Sequence, residues 1–117
     1  MQSPKKPDVT SDVTAQARPL ADLAAYQEGS VVSRQVMGGR SGNVTLFAFA
    51  QGQGLSEHTA PFDALVLVLS GAMDLTVGGQ PGRAEPGTLV RMPAGVPHAL
   101  DATEPTRMLL VMLRERE

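Results

Sequence analysis

The apolar positions of this chain change period near residue 30. Before that point, "PLADLAAYQEGS" sets Leu20, Leu23 and Ala24 three and four apart, the spacing of one helix face. Pro19 suits a first helical turn and Gly29 a C-terminal cap, so the pattern predicts one short helix. After it come short segments that are mostly β-branched or apolar: "SVVSRQVM", "NVTLFAFA", "ALVLVLSG", "AMDLTVGG", "TLVRMP" and "TRMLLVML". Their separators, "GGRSG", "QGQG", "GGQPG", "EPG", "PAG" and "TEP", are turn chemistry. Many short strands at this spacing predict an all-β, antiparallel sandwich or barrel. In "ALVLVLS" both alternating faces are apolar, Leu65, Leu67 and Leu69 on one and Val66 and Val68 on the other. One face lines the interior, and the other needs a cover from a second sheet or a second subunit.

A chain of 117 residues accommodates one domain, which buries roughly two thirds of the unfolded chain's surface. Residues 1–18 mix Pro, Ser, Thr, Asp and Lys without periodicity and are read as a mobile tail. The single domain then occupies residues 19–117, with its barrel core over 31–113. Ten basic residues against 12 acidic ones give a formal charge of -2, so there is no basic field to gather nucleic acid or an anionic membrane. The absence of cysteine excludes a disulfide framework, a thiolate metal site and a cysteine nucleophile. "MQSPKKPDVTSD" lacks the apolar region of a signal peptide, and runs such as Ala64–Leu69 are far too short to span a bilayer. The expectation is a soluble cytoplasmic protein. Neither "GGRSG" nor "GGQPG" follows a strand and opens a helix as a phosphate loop would, and no Gly-x-Ser-x-Gly elbow is present.

The chain has two histidines, His58 and His98, and each sits in a recognisable stretch. "GLSEHTAPFDALVLVLSG" followed by "PGTLVRMPAGVPHALDA" resembles the paired motifs of the cupin superfamily, in its small single-domain, conserved-barrel form. In the second stretch Gly87, Pro93, Ala94, Gly95 and His98 stand at the family's spacing, and in the first His58 is followed by the closing Gly71. The resemblance implies an antiparallel β-barrel or jelly roll. It also implies a metal site in which a His-x-His pair, a Glu a few residues on and a last His from the second motif meet inside the barrel around Fe, Mn, Ni or Zn. Here the first His is His58, the second falls on Ala60, the Glu falls on Ala64, and the last is His98. Half of the donor set is missing.

Asp63 lies one residue from the Glu position. A bulge after Pro61 would turn it inward to complete a two-His, one-carboxylate site, whereas a regular strand points it outward. The candidate metal ligands are therefore His58, His98 and Asp63, although a stable zinc or iron site normally takes at least three protein ligands. The commonest role of a single half-buried His is a structural hydrogen bond. The motifs, however, imply that both imidazoles reach one barrel mouth, face inward and border a shared cavity, where they serve as hydrogen-bond partners or as general acid and base. The pocket candidates are His58, His98, Asp63, Phe62 and Met92, with Asp63 or Asp101 as orienters. Glu57 faces away from His58 if that strand is regular, and Arg91 reads first as a charge on an exposed strand face.

Three functions compete on this reading. The first is a barrel that binds a small organic molecule near His58 and His98 without a tightly held metal. The second is a small metal-dependent enzyme of oxygenase or isomerase type, and the third a barrel with a role in assembly only. The two-faced strand "ALVLVLS" and the equally apolar "RMLLVML" imply a homodimer.

Overall fold

The computed structural model describes residues 16–114, so most of the expected N-terminal tail lies outside the described residues. Nine strands follow one helical turn: α1 (Leu20–Leu23), β1 (Val31–Gly39), β2 (Gly42–Phe49), β3 (Gly54–His58), β4 (Asp63–Ser70), β5 (Met73–Val77), β6 (Gln80–Ala84), β7 (Leu89–Met92), β8 (His98–Ala102) and β9 (Thr106–Leu113). They form a five-stranded sheet in the order β1-β2-β9-β4-β7 and a four-stranded sheet in the order β3-β8-β5-β6. Every paired strand is antiparallel. This is the antiparallel arrangement that the strand pattern predicts and the jelly roll that the resemblance implies, with a single short helix among the described residues.

One cluster ties the sheets together. Phe49, Val66, Val68, Met92 and Met108 from the five-stranded sheet pack with Met73, Leu100 and Ala102 from the other. Period-two alternation selects them: on β4, Ala64, Val66 and Val68 are buried while Asp63 is exposed and Leu65 and Leu67 are partly so.

The edge strand β6 is absent from the sequence pattern because "GGQPG" reads as a separator throughout. Only its first half is a turn. Gly78 (φ 58°) and Gly79 (φ 80°) form a two-residue hairpin loop with both residues left-handed, and Gln80-Pro81-Gly82 begins a strand. Pro81, which has no N–H, is tolerated because β6 is an edge.

The helix also differs from expectation. It stops at Leu23, and Ala24 is already extended, with its side chain buried against Leu46 and Ala48 on the outer face of the five-stranded sheet. Leu20 stays exposed. Gly29, expected as the helix cap, instead has φ 70° in the tight turn that closes Ser30 N–H onto the Gln27 carbonyl and leads into β1. Packing Ala24 and Leu23 onto the sheet outweighs the one or two extra helical turns that the spacing would allow.

The outer face is covered only in part. Leu23, Ala24 and Val32 pack over Leu46, Leu69 and Leu109, but Met37 (63% exposed), Leu89 (60%) and Leu113 (55%) remain open to solvent.

At the β4–β5 turn, Gly71 adopts φ 88°, and a Cβ there would overlap the Pro105 carbonyl and the Thr106 hydroxyl. The fully buried Thr106 locks this turn. Its Oγ1 accepts the Ala72 N–H at 3.1 Å, and its hydroxyl hydrogen lies between the carbonyls of Ala72 (2.9 Å) and Glu104 (2.8 Å). Thr106→Val keeps the shape and leaves the Ala72 N–H unsatisfied, so a cost of about 1–3 kcal/mol is expected. Gly71→Ala should cost more, because strain and overlap add. Urea unfolding of both variants checks the order, and a Gly71→Ala chain as stable as the parent would contradict the turn geometry.

Candidate functional site

The two imidazoles meet because of an irregularity in β3. Gly54 pairs with Asp101 and Leu55 with Leu100, so an unbroken antiparallel ladder would continue to Glu57 opposite His98. The register shifts between Leu55 and His58, and His58 stands opposite His98 instead. One extra residue on β3 forms a bulge at Ser56–Glu57. Leu55 and Leu100 both belong to the core, so without the bulge His58 would share the outward face with Ser56. With it, Glu57 is exposed and His58 turns toward His98.

The rings form an edge-to-face pair with centroids 4.3 Å apart and Nε2 atoms 3.1 Å apart. His98 is buried, 5% exposed, while His58 lies at the surface. The same local device orients both. His58 Nδ1 lies 2.7 Å from the Ser56 carbonyl and His98 Nδ1 lies 3.1 Å from the Val96 carbonyl, each two residues back along the chain. A carbonyl oxygen only accepts, so Nδ1 carries the hydrogen in both rings and both Nε2 atoms converge. Sequence reasoning assigned the orienting role to Asp63 or Asp101. It missed the two backbone carbonyls, for which the matching spacings Ser56-Glu57-His58 and Val96-Pro97-His98 are the available signal. Asp101 is exposed, on the opposite face of β8 from the buried Leu100 and Ala102.

Asp63 is not brought to the imidazoles. β4 is regular at its start, with Asp63 opposite Leu113 and Ala64 opposite Met112, so the carboxylate points outward. There Oδ1 accepts the Ala94 N–H at 2.9 Å and lies 3.7 Å from Arg91 Nη2, on a surface where the ion pair itself contributes little. Its hydrogen bond does organise the site from a distance. Together with the Gly95 N–H donated to the Ala60 carbonyl at 2.8 Å, it fastens the turn that delivers Val96 and His98 to the segment between β3 and β4. Phe62 lies under the Arg114 guanidinium, 5.8 Å from its ring centroid, in a surface cleft with Pro61 and Leu113. Met92 is a core residue opposite Ala64.

Several clefts of the described residues lie away from the imidazoles. One of about 440 Å³ lies on the outer face of the four-stranded sheet between Asp74, Thr76, Pro81 and Asp101. Others of about 330, 300 and 200 Å³ surround Leu113 and the β1–β2 hairpin. None is lined by His58 or His98. The direct contact of the two rings occupies the space between them.

Residues 45–112 match the cupin domain family. A conserved protein of unknown function from Streptococcus pyogenes is 31% identical and superimposes with a TM-score of 0.84 over 92% of this chain and 94% of its own. A cupin 2 conserved barrel domain protein from Leptotrichia buccalis is 37% identical, with a TM-score of 0.76 over 80% of this chain and 46% of that longer one. A cupin superfamily protein from Desulfitobacterium hafniense is 28% identical, with a TM-score of 0.81 over 87% of this chain and 94% of its own. No curated protein matches the chain. With these matches and the two-sheet jelly roll, the chain belongs to the cupin family.

The metal that the family resemblance implies does not fit the donors present. Ala60 and Ala64 offer none, Asp63 faces out, and among the described residues no group of three or more His, Asp or Glu side chains could hold an ion. Two neutral imidazoles fall short of the three or four ligands of a stable zinc or iron centre. The buried Ala64 Cβ nevertheless points into the sandwich. Ala60→His with Ala64→Glu should therefore raise affinity for Zn or Ni about 100-fold over the parent, about 2.7 kcal/mol. Calorimetry on the folded double variant checks this, and an unchanged affinity would contradict the register of β3 and β4 relative to His58.

Proposed function

We propose that this cupin binds a small organic molecule at the His58–His98 pair, without a resident divalent metal. The convergence of two Nε2 atoms at 3.1 Å, on one buried and one surface ring, supports this reading. Polar atoms aimed at a common point, one anchored in the core and one reachable from solvent, are what a selective site needs. The buried ring, tied to Val96 on a loop that Asp63 and Ala60 hold in place, provides the fixed half. The surface ring, held at Nδ1 by the Ser56 carbonyl, is the half that an incoming molecule reaches from solvent.

A library of small organic acids, alcohols and amides, screened by thermal shift on the full chain, tests the proposal. A binder should raise the melting temperature of the parent, and His58→Ala and His98→Ala should each remove at least tenfold of its affinity. Element analysis of the same preparation covers the metal-dependent enzyme reading, which near-stoichiometric Fe, Mn, Ni or Zn would favour. A chain with neither metal nor binder would favour the assembly-only barrel.

We also propose that the chain works as a homodimer through the open part of its outer face. Met37, Val44, Leu65, Leu67, Leu89, Val111 and Leu113 form that surface. The protruding Leu113 stands beside a groove of about 330 Å³ that Met37, Val44 and Val111 line, a knob and a recess that a two-fold axis can match. Sedimentation should give twice the 12.3 kDa chain mass at micromolar concentration, and Leu113→Asp with Leu89→Asp should give the single mass. A parent that sediments as a monomer would overturn the pairing.

A further inference from the structure

We propose that two copies of this chain pair about a two-fold axis that runs along the strands between β2 and β9, and that each Asp63 then meets Arg40 of the partner subunit. This rests on the homodimer reading above and names the geometry and the charges that select it.

The strand registers place the outward positions of the five-stranded sheet in rows. Gly39, Gly42, Leu113 and Asp63 make the first, and Met37, Val44, Val111 and Leu65 the second. Leu46 and Leu109 belong to a third, which Leu23 and Ala24 cover in part. The second row is apolar throughout. The first is uneven: its two glycines leave a recess of about 330 Å³ walled by Met37 and Val44, and the next position, Leu113, is 55% exposed. In a two-fold pair each Leu113 must enter the partner's recess while its own recess takes the partner's Leu113. Knob and recess occupy neighbouring strands of one row, so the axis that exchanges them passes between β9 and β2 and lies along the strands. It keeps the strands of the two sheets aligned, as in ordinary face-to-face packing. The same axis exchanges β4 with β1, the next strands out. Val111 then lies over the partner's Val44, Leu65 over the partner's Met37, and Asp63 over the partner's Gly39.

Charge supports the same pairing. Arg40 follows Gly39 at the tip of the β1–β2 hairpin, is exposed, and has no side-chain hydrogen bond or ion pair among the described residues. Arg114 Nη1 is bonded to the Gly39 carbonyl at 3.1 Å, so this corner of the face is positive. Asp63 is the carboxylate of the first row, and its present contacts leave it capacity. The Ala94 N–H at 2.9 Å and the looser Arg91 Nη2 at 3.7 Å both fall on Oδ1, while Oδ2 has no partner among the described residues. Stacked sheets lie roughly 10 Å apart, a gap that a long arginine stem and an aspartate bridge together. By symmetry the contact forms twice, at opposite rims of the interface. There it discriminates against other ways of stacking two apolar faces, because sliding one sheet by a strand removes both pairs.

The chain has no cysteine, so crosslinking reads the axis directly. Met37 and Leu65 stand three strands apart in one copy, about 14 Å, but face each other across the proposed axis. A Met37→Cys, Leu65→Cys chain treated with a thiol crosslinker shorter than that distance should become a covalent dimer, whereas each single variant should stay a single chain. A double variant linked no better than the singles would overturn the axis. Sedimentation equilibrium on the full chain reads the ion pair. Arg40→Ala should weaken the parent dimer at least tenfold, about 1.4 kcal/mol shared by two contacts. In an Asp63→Asn background, whose amide oxygen still accepts the Ala94 N–H, the same change should cost less than twofold. Equal losses in both backgrounds, or no loss in either, would overturn the contact between Asp63 and the partner's Arg40. The mass of the parent is a separate readout: a dimer without these signatures keeps the homodimer reading and overturns this geometry, and a monomer overturns both.

Discussion

Side-chain alternation in the five-stranded sheet is the constraint on which the rest of this protein depends. β4 and β9 lie side by side near its centre, and each is apolar on both faces. The inner rows, Ala64-Val66-Val68 and Thr106-Met108-Leu110, must be covered, and only the four-stranded sheet supplies the matching surface in Met73, Leu75, Leu100 and Ala102. Stacking two sheets this way removes a continuous apolar surface from water, the dominant favourable term in folding. It also leaves each outward row committed, since a strand cannot reverse its faces without slipping register. The partly covered outer face is therefore a consequence of the core and not an independent feature.

Against that regularity, the site is produced by one local exception. The extra residue in β3 shifts the register past Leu55 and exchanges Glu57 for His58 opposite His98. The adjoining turns are then tied to each other. Asp63 accepts a backbone hydrogen bond from Ala94, the Ala60 carbonyl accepts one from Gly95, and Val96 between them and His98 provides the carbonyl that orients the buried ring. An acidic residue at the barrel end thus contributes to the geometry of an imidazole it does not touch. This chain brings two imidazoles into direct contact, and backbone carbonyls hold each ring from behind.

Much of this was legible in the residues themselves. Apolar periodicity and turn chemistry determine the strand-rich class and the two-faced β4 and β9, while it is the resemblance of the motifs to the cupin pattern that implies the meeting of His58 and His98. Those signals are local, because burial demands period two wherever a strand packs on one side. The absence of donors at Ala60 and Ala64 is equally plain once the sequence is set against the motif that it resembles. What only the tertiary structure decided is every feature that depends on a partner strand: the early end of α1, where Ala24 packs onto β2; the strand character of Gln80–Ala84, which an edge position makes compatible with Pro81; and the outward direction of Asp63, given by its pairing with Leu113. The bulge belongs with these. No residue in Leu55-Ser56-Glu57-His58 announces it, since the register of β3 is defined only against β8, and it is that non-local pairing which turns His58 inward.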